Sequence, residues 1–238
     1  MAAGWFLSLY PDAAEAGGSF RGLDQADRDG SGDWWEPVEP GRALAEAERR
    51  ARGKVRRYCA ANGLNRLGTL TYRGEGCHDP VVVRADIARF FRGLRRGVGD
   101  RFPYLCVPEL HKTGHGWHVH FAVGRFVARG LIEEAWGLGF VHIKLIQGVP
   151  IGGGVRAEAR VAARYLSKYL GKDLSGAGGL NRYDLAQGFQ PKREGIEGRT
   201  EAAVLGVASE RMGGPPAFVW RSATQKGWRG PSAVWAAW

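Results

Sequence analysis

Two short stretches of this 238-residue chain combine side chains that can do chemistry together. The first is Trp117-His118-Val119-His120-Phe121. Along an extended strand the side chains alternate, so His118 and His120 project from one face, about 7 Å apart at Cα. Trp117, Val119, Phe121 and Val123 then form an apolar face on the other side. Two imidazoles at that spacing reach a single metal ion. Upstream, Lys112 to His115 reads as a four-residue hairpin loop, which sets Glu109 opposite His118 and Val107 opposite His120. In that register the Glu109 carboxylate joins the histidine face; a slip of one residue would turn it away. Two histidines and a carboxylate suit a divalent ion that keeps positions open for water or phosphate. The competing reading is a pair of ordinary surface histidines. His111, His115 and His142 read as turn or strand surface residues, although either turn histidine could substitute as a ligand.

The second stretch is Tyr165-Leu166-Ser167-Lys168-Tyr169-Leu170-Gly171-Lys172, which is YxxK written twice with an offset of four. On a helix, positions four apart share a face about 6 Å apart along the axis, so the two phenols project together. Lys168 and Lys172 lie close by and favour phosphate. Leu166 and Leu170 can supply the core-facing stripe. Packing of the phenols themselves into the core is the competing reading.

Both stretches need elements to hold them. Leu67–Tyr72 reads as a strand, 84–97 as a helix with Ile87, Phe90, Phe91 and Leu94 at helical spacing, and Tyr104–Leu110 and Trp117–Val123 as a hairpin. A short helix over 128–136, a strand over 140–146 and a helix from about Arg156 to Gly171 follow. Pro108 implies a sheet edge or a bulge at that point. The order is an α+β, ferredoxin-like or RRM-like β-α-β-β-α-β antiparallel sheet with a following catalytic helix. Its helices are expected on one face, leaving the other free for a site. Before it, 43–61 reads as a basic helix in which Arg49, Arg50, Arg52, Lys54, Arg56 and Arg57 are candidate DNA contacts; a merely solvated face is the alternative. The expected organisation is an acidic leader or linker over 1–42, a catalytic domain over 43–175, and an extension over 176–238 packed on that domain.

Composition narrows the partner. The net charge is +10, yet residues 1–40 carry eight acids against two arginines, so the basic charge sits in the rest of the chain. That balance suits a polyanion, most plausibly nucleic acid. No apolar run approaches the roughly 20 residues of a spanning helix, and no signal peptide is readable, so a membrane role is not expected and the expected location is the cytoplasm. Cys59, Cys77 and Cys106 form no CxxC pair, which argues against a zinc finger or a disulfide framework. The tryptophans of the tail (Trp220, Trp228, Trp235, Trp238) are expected to close a core.

Taken together, these residues resemble the HUH endonucleases, specifically the replication initiators of rolling-circle plasmids and single-stranded DNA phages. Thr69-Leu70-Thr71-Tyr72 is similar to that family's first motif, His118-Val119-His120 to its metal motif, and Tyr165 to Lys172 to its tyrosine motif. The likeness spans about residues 67–172. It implies a nickase that holds Mg²⁺ or Mn²⁺ on His118, His120 and Glu109 and joins itself to DNA through a 5′-phosphotyrosine. Tyr169 is implied as the main nucleophile, Tyr165 as its partner, and Lys168 or Lys172 as neutralising phosphate charge. The implied substrate is single-stranded or hairpin DNA at a replication origin, with a separate helicase and polymerase, since no P-loop is present. A mobilisation relaxase or a single-tyrosine transposase is the alternative within the superfamily. Outside it stand a non-catalytic nucleic-acid-binding module and an Fe(II) oxygenase, the latter leaving the doubled YxxK without a role.

Overall fold

The computed structural model describes residues 3–22, 40–144, 146, 149, 153–170, 180–228 and 230–238. The chain divides into two compact units, Ala43–Gln190 and Met1–Arg42 with Pro191–Trp238.

The first unit contains the expected sheet. Strands β3 (Arg66–Tyr72), β4 (Tyr104–Leu110), β5 (Trp117–Val123), β6 (Gly139–Lys144) and the two-residue β7 (Asp184–Leu185) align antiparallel in the order β6-β3-β5-β4-β7. The first four follow the ferredoxin-like order, with the first and third strands central. Two helices, α2 (Pro80–Val98) and α3 (Arg129–Trp136), pack on one face. The core there joins Val83, Ile87, Phe90, Phe91 and Leu94 to Leu70, Val119, Phe121 and Trp136. Asp79 caps α2 by accepting a hydrogen bond from Val81 N, and Gly99 ends it in the left-handed region. A Cβ at position 68 would collide with the Phe121 ring, so Gly68 gives that ring its seat.

The opposite face is not bare, contrary to the expectation of helices on one side only. Helices α1 (Pro40–Asn62) and α4 (Gly154–Ser167) cover part of it, with Val55, Tyr58, Cys59, Ala159, Ala162 and Leu166 on Leu67, Leu105, Val107 and Ala122. The basic residues of α1 mask an apolar stripe at Ala51, Val55, Tyr58 and Cys59, which is the helical period of a buried face. Tyr58 secures the helix by donating to the Ala186 carbonyl. Helix α4 ends earlier than its sequence suggests. Beyond Ser167 the chain continues in tighter turns, where Lys168, Tyr169 and Leu170 N–H groups bond the carbonyls three residues back.

The other unit is a second antiparallel five-stranded sheet, in the order β8-β1-β2-β10-β9. Its strands are β1 (Gly4–Tyr10), β2 (Glu15–Arg21), β8 (Glu194–Gly198), β9 (Phe218–Arg221) and β10 (Ala233–Ala237), with helix α5 (Glu201–Met212) packed on Leu7, Leu9, Ile196 and Val234. The leader expected over 1–42 is therefore a hairpin up to Arg21, paired with strands drawn from the expected extension. The Gly17-Gly18 pair reads as a loop but is strand, because a Cβ at Gly18 would meet the Phe6 carbonyl of β1. Trp238 packs against this core, as expected of the tail. Among the described residues no helix is long and apolar enough to cross a membrane.

Candidate metal and tyrosine site

The β4–β5 hairpin has the register that its loop length implies: Glu109 lies opposite His118 and Val107 opposite His120. Pro108 sits where β4 is an edge, since β7 pairs only with Leu105 and Cys106. One carboxylate oxygen, Glu109 Oε2, lies 2.9 Å from His118 Nε2 and 2.7 Å from His120 Nε2. Ligand atoms of the three residues all fall within 4.8 Å of one another. An ion about 2.1 Å from three donors at right angles needs them about 3 Å apart, so the donor set and its spacing fit a divalent cation.

The trio is withdrawn from water. Glu109 and His120 are buried and His118 nearly so. Burial lowers the His118 pKa to about 4, helped by His111 and His115, and lowers that of His120 to about 3, helped by His118 and Lys144. Both rings are therefore neutral at neutral pH, and each Nε2–H donates to Glu109. That fixes the His120 tautomer: Nδ1 is the acceptor for the Thr69 hydroxyl, 2.9 Å away. When Nε2 ligates an ion, the proton must move to Nδ1, and the same hydroxyl can then accept. Thr69 sits directly opposite His120 on β3. Strand alternation placed it on that face, but nothing in the sequence identified its partner.

Both tyrosines face this trio. Tyr169 lies flat on His120, with ring centroids 4.0 Å apart and planes 14° off parallel. Tyr165 meets the same imidazole edge-on at 6.0 Å and Tyr169 at 5.5 Å. The pair retains the i,i+4 proximity although Tyr169 lies past the end of the α-helix. Burial raises the Tyr169 pKa, and its hydrogen bond with Tyr165 raises it further. Lys168 Nζ lies 5.6 Å from the Tyr165 ring centroid, and Lys144 Nζ 4.7 Å. Lys144 went unnoticed in the sequence because its strand assignment said nothing of which helix it meets. Lys172 falls outside the described residues.

Other sequence candidates stand apart from this group. His111 bonds Thr113 through Nδ1, with its ring 5.1 Å from that of His118, and His115 Nε2 bonds the Tyr72 carbonyl, so neither is among the three ligands. On α1, Arg49 and Arg50 pair with Glu46 and Arg52 with Glu48, all at exposed positions. Lys54 Nζ lies 5.9 Å from the Tyr183 ring centroid. Arg56 and Arg57 complete the basic series on this helix.

No curated protein and no solved structure matches the chain. Residues 65–174, just under half of the chain but all three motif stretches, are similar to the replication-associated protein family of the ORF2 type.

Proposed function

We propose that this chain is a rolling-circle replication initiator, a metal-dependent HUH endonuclease that nicks and rejoins single-stranded origin DNA through a tyrosine. The observation that supports it most is the Tyr169 ring lying flat on His120, one of three clustered ligands, inside the segment similar to replication-associated proteins.

In this reading His118, His120 and Glu109 hold Mg²⁺ or Mn²⁺, which when bound supplies positive charge to a phosphate oxygen. The Tyr169 hydroxyl loses its proton, and its oxygen forms a bond to the scissile phosphorus. The bond from phosphorus to the 3′ oxygen breaks, and that oxygen takes up a proton to leave a free 3′-OH that primes a polymerase. The 5′ end stays on the enzyme as a phosphotyrosine. Because the new phosphodiester conserves the energy of the old one, Tyr165 can take over the strand or help to rejoin it. Lys168 and Lys144 offset phosphate charge beside Tyr165, as does Lys172 in the sequence pattern. Arg49, Arg50, Arg52, Lys54, Arg56 and Arg57 are proposed to grip backbone phosphates, exchanging their pairs with Glu46 and Glu48 for DNA. A separate helicase opens the duplex, and the cytoplasm is the proposed site of action.

The test is a denaturing gel of the protein with labelled single-stranded origin DNA and Mn²⁺. Wild type is expected to form a covalent adduct, Tyr169→Phe to lose most of it, and His120→Ala all of it. An unmodified wild-type protein would leave a nucleic-acid-binding domain without the chemistry.

A further inference from the structure

We propose that Phe140 is a stacking platform for an unpaired base of the DNA held at the metal and tyrosine site. The inference rests on the nickase reading for its substrate and on the sheet register for its location.

Thr71 pairs with His118 on one side and with Phe140 on the other. Directly opposed residues project to the same face, so Phe140 stands in one row with Glu109 and His118, about 10 Å from His118 across two strand spacings. Helices α1 and α4 cover this face at Leu67, Leu105, Val107 and Ala122. They leave the β6 end of the row open: Phe140 is 69% exposed, although the neighbouring Val141 is buried against the other face. A large apolar ring held in water on an edge strand contributes nothing to the core, and an exposed aromatic of this kind marks a contact surface.

Charge identifies the occupant. The gap between the trio and Phe140 is floored by the short side chain of Thr71. Exposed Lys144 lies on the same face four residues along β6, and exposed Arg73 bonds the Gly137 carbonyl just before β6 begins. A flat hydrophobic ring between two cations matches a single strand, whose bases stack on aromatics while its phosphates meet ammonium and guanidinium groups. A duplex keeps its base faces internally stacked and cannot use the ring. Phe140 therefore selects unpaired DNA and fixes which phosphate reaches Tyr169.

The test measures binding without cleavage, by fluorescence anisotropy in EDTA. The probes are a labelled 15-mer of thymidylate and a 15-mer of the same backbone carrying abasic sites only. Phe140→Ala is expected to weaken thymidylate binding by roughly five- to a hundredfold and to leave abasic binding as in wild type. Phe140→Trp is expected to restore it. Unchanged thymidylate affinity in Phe140→Ala, or an equal loss on both probes, overturns the proposal. His120→Ala serves as the separate arm: if it abolishes adduct formation but keeps the thymidylate preference, the two claims stand or fall independently. Should wild type form no adduct yet lose thymidylate affinity on Phe140→Ala, only the nickase reading fails.

Discussion

Thr69 is a threonine because one hydroxyl must serve two tautomers of His120, accepting from Nδ1–H when Nε2 ligates and donating to it otherwise. Replacing it by Val keeps the shape and the strand preference but orphans that nitrogen. Thr69→Val is expected to lose about 10–100-fold in Mn²⁺ affinity by titration calorimetry, with thermal stability little changed and Thr69→Ser restoring binding. Equal affinity in Thr69→Val would remove the hydroxyl from the account. The histidines also link pH to stability. Their folded pKa values, about 4 and 3, lie below the ordinary 6.5, so between those limits the unfolded chain binds protons that the folded one refuses. Stability of the metal-free protein is therefore complete above about pH 6.5 and falls as the pH drops through 5 toward 3. Urea midpoints at pH 7 and pH 5 should differ more for wild type than for a His118→Gln/His120→Gln variant; parallel profiles would contradict the assigned shifts.

At the scale of elements, the β4–β5 hairpin was legible because loop length and alternation leave one register that gathers Glu109, His118 and His120. Helix α4 was legible in its faces: Leu166 and Leu170 are buried, while both tyrosines are only partly so. Its end was not, since no proline or cap marks Ser167 and the tighter turns that follow depend on tertiary packing. Helix α1 was read by its charge, and its buried face passed unnoticed because Val55, Tyr58 and Cys59 are outnumbered by arginines and lysine. The packing of α4 has a measurable weight. Leu166→Ala removes a fully buried side chain beneath both tyrosines and is expected to cost about 2–5 kcal/mol in urea unfolding. A cost under about 1 kcal/mol would mean that α4 is held by something other than this core.

Across the whole molecule, charge is partitioned by unit. Residues 43–190 carry 24 Lys and Arg against 12 Asp and Glu, whereas the remaining 90 residues carry 10 against 12. The basic excess thus coincides with the unit that holds the site. The second sheet was illegible in the sequence because its strands come from both ends of the chain, and pairing between residues about 190 apart leaves no local pattern. Binding dominated by phosphate contacts must weaken with salt. If six or more phosphates are neutralised, affinity for single-stranded DNA should drop by roughly a thousandfold between 50 and 200 mM salt. A salt-independent affinity would assign the basic charge to solubility alone.

The most direct measurement is the identity of the residue bonded to DNA. Trypsin cuts after Arg164, Lys168 and Lys172, so Tyr165 and Tyr169 fall in separate peptides, Tyr165–Lys168 and Tyr169–Lys172. After nicking of single-stranded origin DNA with Mn²⁺ and nuclease trimming, mass spectrometry should find the nucleotide on the Tyr169 peptide. In Tyr169→Phe, any remaining adduct should move to the Tyr165 peptide. A nucleotide on neither peptide, or no covalent product at all, would contradict the arrangement of phenols over a histidine-bound ion.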